Sequence, residues 1–156
     1  MLTERLEGLA LRETLKQGGL PFPRARERAR WQAVAEDARK ELLCAAHEQA
    51  KQPYPIMTAT DFLAFLRTGS RQTQQKPFFA RRHKLILETL GECVEHEGAF
   101  MDDIINGLWL ICEESFWGVN AHNGSSHPGA RPAAEHPLPD VDNPYIDLFA
   151  AQTACR

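Results

Sequence analysis

The chain has 156 residues, 43% of them hydrophobic and 25% charged, a balance that supports a buried core and excludes a wholly disordered polypeptide. Its formal net charge of -3 argues against a dedicated nucleic-acid binder, which would carry a marked positive excess. No apolar run reaches the roughly 20 residues of a membrane span, and the leucines after Met1 are spaced by charges instead of forming an export signal, so the expectation is no membrane and a cytoplasmic location.

In chain order, residues 3–17 read as an amphipathic helix carrying Leu6, Leu9, Leu11 and Leu15, ended by Gly18 and Gly19. Leu20-Pro21-Phe22-Pro23 resets the direction, and a second helix is expected over 26–51 with Trp31, Val34, Ala38, Leu42, Ala45 and Ala46 as its inner stripe. Arg24, Arg26, Arg28 and Arg30 are locally basic, but they spread around that helix and Glu27 interrupts them, which predicts a solvated face. Tyr54, between Pro53 and Pro55, closes this N-terminal helical unit (1–52) in extended backbone.

The central helices are expected over 58–117. Thr58-Ala59-Thr60-Asp61 is a cap sequence for a helix with Phe62, Leu63, Phe65 and Leu66 that stops at Thr68-Gly69. Pro77 suits a first helical turn, and Phe78, Phe79, Ile86, Leu90 and Val94 carry that helix to Glu97-Gly98. The next helix starts near Ala99, and so short a connection predicts an antiparallel hairpin. No stretch alternates apolar and polar residues while being rich in Val, Ile and Thr, so no strand is expected. The fold class is all-α, built from antiparallel helical hairpins.

Residues 100–123 carry the chemistry. Met101, Ile104, Ile105, Leu108, Ile111 and Cys112 recur at helical spacing and predict one buried face, with Trp109 in the core. Glu113, Glu114, Trp117, His122 and Asn123 then crowd together where the helix ends, a mixture that packing alone does not require. Carboxylates and an amide bind sugar hydroxyls, an indole stacks on a sugar face and an imidazole moves protons, so the cluster suits a carbohydrate cleft. The same residues admit a structural reading. Glu113 and Glu114 cannot share a helix face, so one points to solvent or to Arg81 or Arg82 while the other faces the cleft, and His122-Asn123 also fits a turn. Asp102, Asn106 and Glu113 lie along one helix side, and Arg81-Arg82-His83-Lys84 reads as a solvated or salt-bridged face.

Residues 118–144 form a Pro/Gly-rich loop that holds His122, His127 and His136. Three histidines in a flexible loop make a poor ligand set, and no metal or cofactor is assigned. Residues 145–156 read as a final helix that runs into Arg156 without a cap, the pattern of a truncated chain. Cys44, Cys93, Cys112 and Cys155 are far apart and are expected as buried thiols.

ATDFLAFLRTGSR (59–71), PFFARRHKLILETLGECVEHEGAFMDDIINGLWLICEESFWGVNAHN (77–123) and DNPYIDLFAAQTA (142–154) together resemble the N-terminal part of bacterial heparinase II/III-like proteins. These are polysaccharide lyases and relatives in which an (α/α) toroid precedes a β-sandwich. The resemblance implies an acidic or uronic-acid-containing glycan as partner and cleavage by β-elimination, with His122 as base or carboxylate partner, Asn123 on the carboxylate, Trp117 stacked on a sugar, and Glu113 and Glu114 binding hydroxyls or orienting the imidazole. It also implies that the chain is a partial toroid, because a ring of about a dozen helices of about 11 residues each exceeds its length. Tyr54 and Tyr145 match no lyase acid, the remaining toroid and the β-sandwich are missing, and the fragment alone is expected to be inactive. Two other classes stay open: a glycoside hydrolase on the same toroid, for which adjacent Glu113 and Glu114 are poorly placed, and a noncatalytic helical scaffold.

Overall fold

The computed structural model describes residues 22–124, 132, 134–140, 142 and 145–154. The helix expected over 3–17 lies outside them, as do His127 and Cys155. Among the described residues six helices run in the order α1 (Arg28–Gln32), α2 (Glu36–Ala50), α3 (Ala59–Thr68), α4 (Gln72–Glu95), α5 (Met101–Cys112) and α6 (Leu148–Ala154), with a 3-10 turn at Asn120–His122 between the last two. There is no strand among the described residues, and the protein is all-α. No described helix is long and apolar enough to cross a membrane.

Helix α4 is the spine against which α1, α2, α3 and α5 pack. Helix α5 runs antiparallel to it. Glu92 near one end of α4 accepts the Gly98 and Phe100 N–H groups that lead into α5, while Arg81 and Arg82 reach Glu114 beyond the far end of α5. Gly91 is where α2, α4 and Phe100 converge: a Cβ there would lie 2.8 Å from the Ala46 Cβ and 3.1 Å from the Phe100 ring.

The single helix expected over 26–51 is two helices. Glu36 and Asp37 form an acidic first turn that complements a helix N-terminus, and the backbone before them is extended at Ala35 (φ −51°, ψ 138°). The break leaves Val34 38% exposed while Trp31 and Ala46 stay buried. The expected arginine face is also partly used up in structure. Arg28 donates to the carbonyls of Cys93 (2.5 Å) and Val94 (2.8 Å), placing a cation on the unsatisfied C-terminal end of α4.

Helix α3 begins and ends where its cap residues specify. Thr58 Oγ1 accepts the Asp61 N–H, Asp61 Oδ2 accepts the Thr58 N–H at 2.8 Å, and Gly69 closes the helix at φ 74° with its N–H on Phe65 O. Replacing Thr58 with Ala is expected to cost about 1 kcal/mol in urea unfolding, and Thr58→Ser close to nothing. Equal midpoints for Thr58→Ala and the parent chain would mean that the reciprocal pair contributes nothing.

Helix α4 starts at Gln72, so Pro77 lies inside it instead of in its first turn and has no N–H to offer the carbonyl four residues back. Its buried face is Gln74, Phe78, Arg81, Arg82, Lys84, Glu88, Gly91 and Val94. Arg81, Arg82 and Lys84 are therefore not solvated. They are buried because each meets an acid there: Glu114 for the arginines and Glu88 for the lysine. Lys84 Nζ also donates to Gln49 O at 2.8 Å, and the Tyr54 hydroxyl donates to Glu88 Oε2 at 2.7 Å, so this inner layer is polar and hydrogen-bonded.

The apolar residues of α5 do not form one buried face. Gly107 and Ile111 are buried against the Tyr54 side, whereas Met101, Ile105, Leu108 and Trp109 are exposed, Trp109 to 65%. The helix carries apolar residues on more of its circumference than its described neighbours cover. Cys44 and Cys112 are exposed and Cys93 is partly buried, so the expectation of buried thiols holds for none of them in full. Burial raises the Cys93 thiol pKa.

Candidate functional site

A cleft of about 500 Å³ opens where α3, α4 and the end of α5 meet, lined among others by Thr58, Phe62, Gln74, Arg81, Glu113, Glu114 and Phe116. Glu113 and Glu114 follow the last turn of α5 and diverge, as adjacent helical residues must. Glu113 is exposed at the cleft, whereas the Glu114 side chain is only 3% exposed and turns inward.

Glu114 is clamped by two guanidinium groups. Arg82 Nη2 donates to Glu114 Oε2 at 2.7 Å and Arg81 Nη1 donates to Oε1 at 3.2 Å. The arginines are themselves fixed. Arg81 Nε donates to Pro55 O (2.7 Å), Arg82 Nε to Thr153 Oγ1 (2.8 Å) and Arg82 Nη1 to Phe78 O (3.1 Å), and the Arg82 guanidinium lies 3.4 Å over the Phe78 ring. This cluster joins the extended segment after α2, the middle of α4, the end of α5 and helix α6. It is a strut within the wall of the cleft.

His122 ends the 3-10 turn with its side chain 37% exposed, and its Nδ1 lies 2.5 Å from Asp147 Oδ2. Phe149 stacks on the imidazole (centroids 5.6 Å apart, planes 19° apart), and the Tyr145 hydroxyl donates to His122 O at 3.0 Å. Asn123 Nδ2 donates to His136 O at 2.9 Å. Trp117 is partly buried, with its indole N–H on Ile111 O at 2.7 Å, where it satisfies a carbonyl at the end of α5.

The five candidate residues thus fall into two groups. Glu113 and Glu114 line the cleft, while Trp117, His122 and Asn123 are not among its lining residues. Two side chains of the cleft wall reach the histidine turn: Phe116 meets Tyr145 edge-on at 5.9 Å, and Gln74 Oε1 accepts the Asn120 N–H at 3.2 Å. Sequence reasoning missed Asp147, Gln74 and Asn120. Nothing local in the sequence marks Asp147, 25 residues from His122. Gly118 is a usable signal in retrospect, since a Cβ there would lie 2.4 Å from the Phe116 ring and 3.0 Å from Asp147 Cγ.

Both tyrosines of the chain border these clusters, and both phenols have raised pKa values. Burial is the main cause for each, followed by the Glu88 hydrogen bond for Tyr54 and the Asp147 charge for Tyr145. A raised folded-state pKa means that the native protein holds the phenolic protons more tightly. The associated stability is full below the unfolded value of about 10 and is lost as pH rises above it. Alkaline titration is therefore expected to show phenolate absorbance rising later than the usual tyrosine range of about pH 10, with the Tyr54 share appearing only as helical circular dichroism is lost. Both phenols ionising at the usual pH while the helices remain intact would contradict it.

No protein-family model matches the chain, and no curated protein matches it.

Proposed function

We propose that the chain supplies part of the helical toroid of a heparinase II/III-like polysaccharide lyase, with Glu113 to Asn123 at the side of a cleft for a uronic-acid-containing glycan. The observation that carries the reading is the His122 imidazole held by a carboxylate beside a tyrosine and an asparagine. The sequence blocks quoted above and the all-α hairpins add to it. In β-elimination, His122 takes the proton from the carbon that bears the uronate carboxylate. The electron pair left behind forms the ring double bond, the bond to the leaving sugar oxygen breaks, and that oxygen takes a proton from water, while the proton on His122 passes to solvent. Asn123 neutralises the substrate carboxylate by hydrogen bonding, Glu113 accepts from hydroxyls, and the Trp117 ring stacks on a sugar face. Glu114 holds the wall through Arg81 and Arg82. On this reading the rest of the ring and the β-sandwich belong to sequence beyond this chain.

A noncatalytic scaffold is the second reading, favoured by the internal bonds of Glu114, Trp117 and Asn123. A glycoside hydrolase is disfavoured, because it needs two carboxylates facing across a bond and Glu114 is committed to arginines. Affinity electrophoresis of the chain in gels containing a polyuronate or a neutral glucan tests the proposal. Selective retardation by the polyuronate, lost in Glu113→Ala and His122→Ala, is expected. Equal mobility in both gels would leave the scaffold reading. Where the chain is part of a protein with turnover, elimination gives the ultraviolet absorbance of an unsaturated uronate, whereas new reducing ends without it would mean hydrolysis.

A further inference from the structure

We infer that Asp147 is a positioning residue for His122, fixing both the tautomer and the orientation of its imidazole. The inference rests on the reading of His122 as a proton acceptor only for its catalytic meaning; the tautomer itself stands on geometry. Asp147 is 4% exposed, and both its oxygens are engaged in different directions. Oδ1 accepts the Phe149 N–H at 2.7 Å, and Oδ2 faces His122 Nδ1 at 2.5 Å. An acceptor seated on Nδ1 places the hydrogen of a neutral imidazole there and makes Nε2 the basic nitrogen.

The carboxylate can impose this because its own position is over-determined. Phe149, two residues on, stacks on the imidazole and packs edge-on against Phe79 (5.1 Å) and Phe78 (6.3 Å) of α4, which gives one face of the ring a fixed seat. Thr153 Oγ1 donates to Phe149 O and accepts from Arg82 Nε, both at 2.8 Å, so α6 is tied to the same arginine that clamps Glu114. Gly118 leaves the space into which Asp147 closes. Helix α6 thereby carries a carboxylate to a histidine on the far side of the intervening loop, and the pair is set against the α4 spine.

Long-range proton–nitrogen correlation spectra of the imidazole test this, with the His122 signals assigned by their loss in His122→Gln. The neutral parent protein is expected to show the Nδ1–H tautomer at His122. Asp147→Asn, whose amide can donate to Nδ1, is expected to move the population at least about tenfold toward Nε2–H (about 1.4 kcal/mol), and Asp147→Glu to restore part of the parent pattern. A parent protein in the Nε2–H form overturns the inference without any variant, which keeps it testable if Asp147→Asn does not fold. An unchanged tautomer in a folded Asp147→Asn protein overturns it as well. Failure to bind any polyuronate alongside the expected tautomers would remove the proposed function and leave the positioning role standing.

Discussion

Replacing Glu114 with Ala is expected to lower the unfolding free energy by about 3–5 kcal/mol, because breaking a buried ion cluster strands its remaining charges. The Glu114 and Arg82 side chains are each 3% exposed and Arg81 is 8% exposed, so water cannot take over the lost partner without opening the packing of α4, α5 and α6. Arg81 would keep Pro55 O and Arg82 would keep Phe78 O and Thr153, but these neutral acceptors leave two positive charges uncompensated. Set against a typical total stability of about 5–15 kcal/mol, a loss of that size is a large fraction of what holds a domain folded. The asymmetry between deleting one partner and replacing all of them gives a second arm. Changing Arg81, Arg82 and Glu114 together to apolar residues of similar size removes the desolvation cost with the attraction, and is expected to be near neutral. Urea unfolding followed by circular dichroism checks both. A loss below about 1 kcal/mol for Glu114→Ala would place the cluster in the class of exposed, screened ion pairs. Glu114→Gln separates strut from ligand: a strut loses stability, whereas a sugar ligand would lose polyuronate retention at unchanged stability.

The parts of the fold that were legible in the sequence are those whose cause is local. Thr58, Asp61 and Gly69 bound α3 through bonds within four residues of chain, and the cap sequence reads directly as geometry. Glu36 and Asp37 were an equally local signal for a helix start, and the apolar stripe running through them masked it. The Arg81-Arg82-His83-Lys84 run, expected as a solvated or salt-bridged face, is salt-bridged at Arg81, Arg82 and Lys84. These residues face inward with Glu88, a burial that hydrophobic periodicity does not show because it assigns charge to solvent. Glu114, which pairs with the arginines, and Tyr54, which donates to Glu88, lie more than 30 residues away in sequence, whereas Lys84 and Glu88 are four apart in the same helix and only that pair is local. The same rule misread α5 in the opposite direction, since a helix can be apolar on a side that no described element covers. In the site, Glu113 and Glu114 were expected to diverge, one to solvent or to Arg81 or Arg82 and the other to the cleft. Of those alternatives the structure takes the arginines, with Glu114 on both guanidinium groups and Glu113 exposed at the cleft. The His122–Asp147 contact depends on how the chain returns after a long loop, and residue types alone do not encode that path.

Gly107→Ala is expected to destabilise the protein by about 2–4 kcal/mol, although alanine in a helix interior would by propensity gain about 1 kcal/mol. The added Cβ would lie 2.2 Å from the Tyr54 hydroxyl oxygen and 2.5 Å from Cζ, so the phenol ring must leave its seat on α5. Overpacking of this kind costs about 1–3 kcal/mol. Displacing the ring also takes the hydroxyl from Glu88 Oε2, and an unsatisfied group at so buried a site costs about a further 1–3 kcal/mol. Lys84, whose ammonium lies 4.8 Å from the Tyr54 ring centroid, loses that contact too. These terms together outweigh the propensity gain. Tyr54→Leu alone should also be destabilising, but combined with Gly107→Ala it should cost less than the sum, because the clash is then relieved. A midpoint raised by Gly107→Ala would mean that Tyr54 does not sit on α5 in solution. The effect should reach the cleft as well, since Tyr54 precedes Pro55, whose carbonyl accepts from Arg81 of the Glu114 clamp. Gly107→Ala and Glu114→Ala are therefore expected to be non-additive, with a coupling of at least about 0.5 kcal/mol in a double-mutant cycle. Strict additivity would separate the Tyr54 seat from the arginine strut.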